Sequence, residues 1–251
     1  MKTEIVYEDS DILVVYKPAG IATQAAGLLQ TDVVSELKNY LMANHKGEKP
    51  KEPYLGLIHR LDQPVEGILV FAKTPQAAAL LSRQAAERAL TKEYLAVVLA
   101  EEEKVKQAEK ITLTDFLIKD GRNNLSRVGK ACDQNAKKAV LSYEVVKTNE
   151  ISGPGRSNRP NGSGSAVTAL LRIHLQTGRH HQIRVQLANA GMPLLGDFKY
   201  GSADSQNLSR ELGVKDVALC AHRLSFKHPK TGKTEEFTVL PKKPVLRDFA
   251  G

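Results

Sequence analysis

The segment His59-Arg60-Leu61-Asp62 sets a carboxylate two residues from a guanidinium, between the apolar run Leu55 to Ile58 and the turn residues Pro64 and Gly67. In extended backbone alternate side chains share a side, so Arg60 and Asp62 can point the same way. An opposite charge within about 4–6 Å lowers a carboxyl pKa, which keeps it ionised and suits a nucleophile better than a general acid. The same residues also describe a turn aspartate salt-bridged to its neighbour, and the segment alone does not separate the two.

A second cluster is Gly178-Arg179-His180-His181-Gln182-Ile183-Arg184. On a helix, Ile183 and Leu187 form an apolar face at i, i+4 and leave the basic residues exposed or facing a cleft. Helix N-termini and arginine forks both suit phosphate and carboxylate. Adjacent histidines diverge on a helix, and no His, Cys or acidic cluster accompanies them at ligand spacing, so no metal is expected. A third candidate is Tyr94 in Lys92-Glu93-Tyr94-Leu95-Ala96-Val97, either a core ring or one that stacks on a base.

Several elements must position these residues. Glu4 to Tyr16 reads as two short strands around Glu8-Asp9-Ser10-Asp11, stopped by Pro18 and Gly20. Thr31 is the expected cap of a helix running to Asn44. Tyr54 to Lys73 reads as strand, loop, strand, with Asp62 where the loop begins. Thr74 and Pro75 open an alanine-rich helix expected to reach Ala89. Strands are expected at Lys92–Leu99, Ser142–Val146, Val167–Leu175 (half-buried, with alternating faces) and Val217–Phe226. After the last of these comes a turn at 228–232 and a returning strand, Glu236 to Leu240. A helix should carry His180 to Ala190, closed by Gly191. Residues 101–110 read as a charged connector. The Gly-, Ser- and Pro-rich stretch 151–165 reads as a flexible loop, either a linker or an excursion between paired strands; its Arg156 and Arg159 could touch RNA.

The 251 residues suffice for one large domain or two small ones. A net charge of +8 and a sequence pI near 9.4 suit a polyanionic partner, since neutralising phosphates releases counterions. Cys132 and Cys220 offer neither a disulfide framework nor a zinc signature, and are expected as buried or half-buried thiols of a reducing compartment. The N-terminus lacks a signal peptide and no apolar stretch is long enough to span a membrane, so a cytoplasmic protein is expected.

The segments together resemble the RluA-like family of RNA pseudouridine synthases. His59 to Asp62, followed by Gly67 to Thr74, is similar to its catalytic-aspartate motif. Lys92 to Val97 is similar to its second element. Thr177 to Ala188, with Gly191-Met192-Pro193, Gly196-Asp197 and Tyr200-Gly201, is similar to its third. Ala221 to Phe226 with His228-Pro229 is similar to the closing element, and Asp11 to Val15 with Lys17 to Gly20 fits the opening. The matches keep their order across nearly the whole chain.

The resemblance implies a single α+β catalytic domain with a mixed, mainly antiparallel sheet flanked by helices and loops, without an S4 domain ahead of it. It implies no cofactor, and ribosomal or transfer RNA as partner; a monomer is expected. Asp62 would be the nucleophile, Arg184 its ion-pair partner and Tyr94 the ring against the target base. Arg60 would hold the RNA open around a flipped-out uridine and Leu224 would line the base pocket; Arg179, His181 and Gln182 would contact substrate. Val65-Glu66 stand where many members carry Thr-Ser, and His180 where many carry Thr. Two other functions compete: a non-catalytic RNA-binding or ribosome-assembly factor on the same scaffold, and a nucleoside or glycoside hydrolase using Asp62 with another carboxylate.

Overall fold

The computed structural model describes residues 1–25, 31–44, 52–106, 109–151 and 166–250. In chain order its elements begin with β1 (Glu4–Glu8), β2 (Ile12–Lys17), α1 (Val33–Ala43), β3 (Gly56–Leu57), β4 (Glu66–Ala72) and α2 (Pro75–Ala86). Next come β5 (Thr91–Glu101), α3 (Glu102–Val105), β6 (Ile111–Asp120), β7 (Leu125–Gly129), β8 (Lys137–Glu150) and β9 (Ala166–Leu175). The chain closes with α4 (Gln182–Asn189), α5 (Ala203–Glu211), β10 (Leu219–Lys227), β11 (Thr234–Thr238) and α6 (Pro244–Ala250). The chain forms two compact units, residues 1–92 with 221–241, and residues 93–220 with 242–251.

The first unit is built on β2 and β4, whose residues are all buried. Strands covered on both faces read as continuous apolar runs rather than alternations, which is how Ile12–Tyr16 and Ile68–Ala72 appear in the sequence. They pair antiparallel from Ile12↔Ala72 to Lys17↔Gly67. β1 flanks β2 and β3 flanks β4, also antiparallel. β10 pairs antiparallel with β11 from Arg223↔Thr238 to Lys227↔Thr234. Gly67 has φ +130°, and a Cβ there would lie 2.3 Å from the Ala221 carbonyl oxygen, so only glycine lets this backbone approach so closely.

Two helix starts differ in how they match expectation. Thr74 accepts a hydrogen bond from Ala77 N with Pro75 behind it, as expected. At α1 the cap is Asp32, one residue beyond Thr31, because its carboxylate accepts from Ser35 N at 2.7 Å. The helix after Pro75 ends at Ala86, short of Ala89, where Arg88 turns left-handed at φ 62°.

The strands of the second unit run in the order β5-β9-β8-β6-β7, antiparallel throughout. β6 and β7 lie where no strand was expected, and residues 102–105 form the short α3 rather than a connector. β9 is not half-buried along its length. Val167 to Leu171 are all buried, and only the stretch after them alternates, because β5 and β8 cover both its edges while the core closes over both its faces. Glu150 pairs with Val167, so the chain between them is an excursion joining paired strands rather than a linker. Its residues 152–165, with Arg156 and Arg159, lie outside the described residues. Cys220 is buried; Cys132 is exposed, against expectation, because it sits in the polar turn between β7 and β8. Among the described residues no helix is long and apolar enough to cross a membrane.

Candidate active site

Asp62 sits in the loop joining β3 to β4. The loop starts at Ile58, so Asp62 is well inside it rather than at its beginning, at the corner where Val65 N donates to the Asp62 carbonyl at 3.0 Å. Residues on both sides of it are anchored. On one side the Thr23 hydroxyl donates to the Leu61 carbonyl at 2.9 Å and accepts from Leu61 N at 3.1 Å. On the other, the Gln63 carbonyl accepts from Gly20 N at 2.9 Å and from the Lys17 ammonium at 3.1 Å. Lys17 is fully buried, and its ammonium also reaches the carbonyls of Ile21 and Pro18 at 2.8 and 3.0 Å. A buried ammonium needs such partners to offset lost hydration, so the Lys17-Pro18-Ala19-Gly20 turn is fastened to the Asp62 loop. Asp62 itself is half-buried and Arg60 is exposed.

His59 stands behind this loop. Its Nε2 accepts from Val70 N at 3.3 Å, so the ring is neutral, and Nδ1 is enclosed without a hydrogen-bond partner. Burial, with nearby Lys92 adding to it, pushes its pKa down to about 3. Leu224, in β10 opposite Phe237, is fully buried.

Arg184 lies on α4 in the second unit and is 3% exposed. Its Nε and Nη2 donate to the two carboxylate oxygens of Asp197 at 2.7 and 2.8 Å. Asp197, 2% exposed, also accepts from the backbone N–H groups of Lys199 and Tyr200 at 3.0 and 3.2 Å. The guanidinium carbon lies 5.1 Å from the centre of the Tyr200 ring. Fork-on-fork pairing, backbone donors and a ring together fix the guanidinium plane and leave it little rotational freedom.

The basic cluster does not form one helical face: Arg179 precedes the helix and is exposed, whereas His181 and Arg184 are buried. α4 starts only at Gln182, and Gln182 to Leu187 are all buried. His181 caps it in a left-handed conformation, φ 53°. That backbone turn stacks the His180 and His181 rings at 3.7 Å instead of letting them diverge. Tyr200 Oη accepts from Ser126 N at 2.8 Å and lies within hydrogen-bond distance of His181 Nδ1, 2.7 Å away. His181 is a neutral ring. Burial, aided by Arg184, His180 and Lys199 and opposed by Asp197, takes its pKa down to about 3.

Gln182 serves the turn: its Oε1 accepts from Thr177 Oγ1 and Arg179 N, and its Nε2 donates to the Val140 carbonyl. This buried amide positions the residues around it. Arg179 is exposed, with Nε on the Lys138 carbonyl. Tyr94 is 5% exposed on β5, opposite Ile173. Thus Asp62, Arg60 and Leu224 belong to the first unit; Tyr94, Arg179, His181, Gln182 and Arg184 belong to the second. Among the described residues no three or more His, Cys, Asp or Glu converge as metal ligands.

A family model for RNA pseudouridylate synthase matches residues 11–189, a span that contains Asp62, Tyr94 and Arg184. The chain belongs to the RNA pseudouridylate synthase family. Its relatives bear out the RluA-like resemblance of the motifs. "Ribosomal large subunit pseudouridine synthase D" of Nitrosomonas europaea is 33% identical over 92% of this chain and 59% of its own length. "Ribosomal large subunit pseudouridine synthase C" of Pasteurella multocida is 29% identical over 100% of this chain and 68% of its own. "tRNA pseudouridine synthase C" of Haemophilus ducreyi is 27% identical over 92% of this chain and 88% of its own. This chain therefore spans well under two thirds of the Nitrosomonas relative. Human RNA pseudouridylate synthase domain containing 1 shares the α+β fold with a TM-score of 0.69, at 23% identity, over 94% of this chain and 82% of that one.

The sequence reading missed the residues that hold the others. Asp197 and Tyr200 entered it only as members of a motif. The signal was available in principle, because a buried arginine requires a buried acceptor. Thr23 and Ser126 gave no signal, since a hydroxyl's partner far along the chain cannot be read from its neighbours.

Proposed function

We propose that this protein isomerises uridine to pseudouridine in ribosomal or transfer RNA, with Asp62 as the nucleophile. The observation that carries this reading is the family match across Asp62, Tyr94 and Arg184. The local architecture supports it: Asp62 is anchored on both sides, and Arg184 is held by Asp197. In this reading Arg184 serves as counter-charge to Asp62.

In the reaction the N1–C1′ bond breaks and a C5–C1′ bond forms; N1 gains a proton and C5 loses one. Atoms and electrons balance within the substrate, so the chemistry asks for no co-substrate. The base must leave its stack to be reached, and the detached uracil must be held while it turns. The Asp62 carboxylate acts on the ribosyl–uracil as it comes apart. Tyr94 supports the uracil ring, and Arg60 holds the flanking strand.

Incubation with ribosomal and transfer RNA transcripts, followed by pseudouridine mapping, tests the reading. Wild-type protein should form pseudouridine at one or a few positions, and Asp62→Asn should form none while still binding RNA. An Asp62→Asn protein as active as wild type would refute the role of Asp62. Full rescue of a deletion strain by that variant would instead favour a non-catalytic RNA-binding factor.

A further inference from the structure

The two central strands of the first unit are apolar except at one end. In β2 and β4, whose residues are all buried, only Tyr16, Lys17 and Glu66 carry polar side chains, and all three lie at the end that adjoins the Asp62 loop. The Tyr16 hydroxyl donates to Glu66 Oε2 at 2.5 Å, and the two residues are 3% and 2% exposed. Register explains the meeting. Tyr16 lies opposite Ile68, so Glu66 is its diagonal neighbour on the same face of the sheet, within reach of a long side chain. Burying a phenol and a carboxyl group costs hydration, and two apolar groups of the same shape would sit here at no greater cost. What the polar pair adds is a fixed distance between two points of the backbone.

That distance bears on Asp62. Val65 N donates to the Asp62 carbonyl at 3.0 Å, so residues 62–65 form one tight turn and Glu66 is the first residue beyond it. Lys17 holds the turn itself, through its ammonium on the Gln63 carbonyl at 3.1 Å. Tyr16, its neighbour in β2, holds the exit of the turn through Glu66. Consecutive side chains of a strand leave it on opposite faces, so the two residues grip the turn from two sides. Gly67 follows with its backbone against Ala221, which keeps β4 from sliding to relieve a change at Glu66. Every one of these residues belongs to the first unit. Many members of the family carry serine in place of Glu66, so the pair is particular to chains like this one.

We infer that Tyr16 and Glu66 are positioning residues, whose hydrogen bond fixes the exit of the Asp62 turn and with it the approach of the Asp62 carboxylate to the ribosyl–uracil. Buried as they are, they act through the turn and not on the substrate. This rests on the isomerase reading only for the task given to Asp62. A small misplacement of a reacting group can cost about a hundred-fold in rate, so the pair should govern kcat and leave RNA affinity alone.

Three variants test it: Tyr16→Phe, which removes the donor; Glu66→Gln, which keeps an acceptor; and Tyr16→Phe with Glu66→Leu, which makes both partners apolar. Melting temperature, pseudouridine formation over a range of RNA concentration, and hydrogen exchange of the Val65 N–H are measured for each. Tyr16→Phe should lower kcat about ten- to a hundred-fold, with KM within about two-fold of wild type. Glu66→Gln should retain kcat to within about three-fold, because its amide oxygen still accepts from the phenol. The double variant should regain the stability that Tyr16→Phe loses, yet keep the low kcat. In both variants that lack the phenol, the Val65 N–H should exchange about ten-fold faster or more. A double variant whose kcat recovers together with its melting temperature, or a Tyr16→Phe protein with wild-type kcat, would overturn the inference and leave the pair a matter of packing. A wild-type protein that forms no pseudouridine would count against the isomerase reading. The exchange of Val65 would still decide the pair, since an unchanged rate in the two variants would show that it does not hold the turn.

Discussion

Arg184 and Asp197 form a two-pronged ion pair, at 2.7 and 2.8 Å, with both partners almost wholly enclosed. Removing one member of a buried pair strands the other charge, and breaking such pairs costs about 3–5 kcal/mol. Asp197→Asn keeps the shape and loses the charge. It should destabilise the protein by about 3 kcal/mol in urea unfolding and lower kcat far more than it raises KM. Unchanged stability would mean that Asp197 does not hold Arg184.

Thr23 bonds both the N–H and the carbonyl of Leu61, the residue before Asp62. Thr23→Val is nearly isosteric but leaves both buried groups unsatisfied, at a cost of about 1–3 kcal/mol each. Thr23→Ser retains the hydroxyl. The expected pattern is a melting temperature and kcat that fall with valine and recover with serine. Equal loss in both variants would point to packing rather than to the hydrogen bonds.

His59 and His181 are both held neutral, each with a pKa near 3. In the unfolded chain their pKa is about 6.5. The folded value is the lower one, so the unfolded state binds more protons between these limits. Stability is unaffected by these rings above about pH 6.5 and is lost as pH falls from there toward 3. Each ring contributes at most about 1.4 kcal/mol per pH unit in that window, and His181 less, since part of its environment is polar. Urea unfolding from pH 7 to pH 4.5 should show this slope, and His181→Gln should flatten it. A slope identical in the variant would show that His181 titrates normally.

Much of the fold is legible in local chemistry. Thr74 and Pro75 announce α2, the apolar runs announce β2 and β4, and the turn at His228 to Gly232 separates two strands as expected. β6 is harder to read because Thr112, Thr114 and Asp115 dilute its apolar residues, and exposure rather than burial governs it. The basic cluster misleads for a different reason. A 3.6-residue period places His180 and Arg184 on one helical face, whereas the left-handed His181 breaks the helix before that period begins. Such a turn is uncommon for a non-glycine residue, and the contact with Tyr200, distant from any local pattern, helps to hold it. Of the candidate site, the proposed reacting groups stood out as motif residues, while the residues that hold their surroundings, Thr23, Ser126 and Asp197, are defined by partners distant in sequence.

Gly67 has to make room for the backbone of Ala221, which is synthesised about 150 residues later. At roughly 5–20 residues per second the ribosome needs on the order of ten seconds to deliver it. During that interval Asp62 and its anchors at Lys17 and Thr23 are already made, but the strand that completes their unit is not. Birth order thus runs against spatial order: the nascent chain carries the Asp62 loop as an open half, and the unit around that loop closes only after Ala221 has been made.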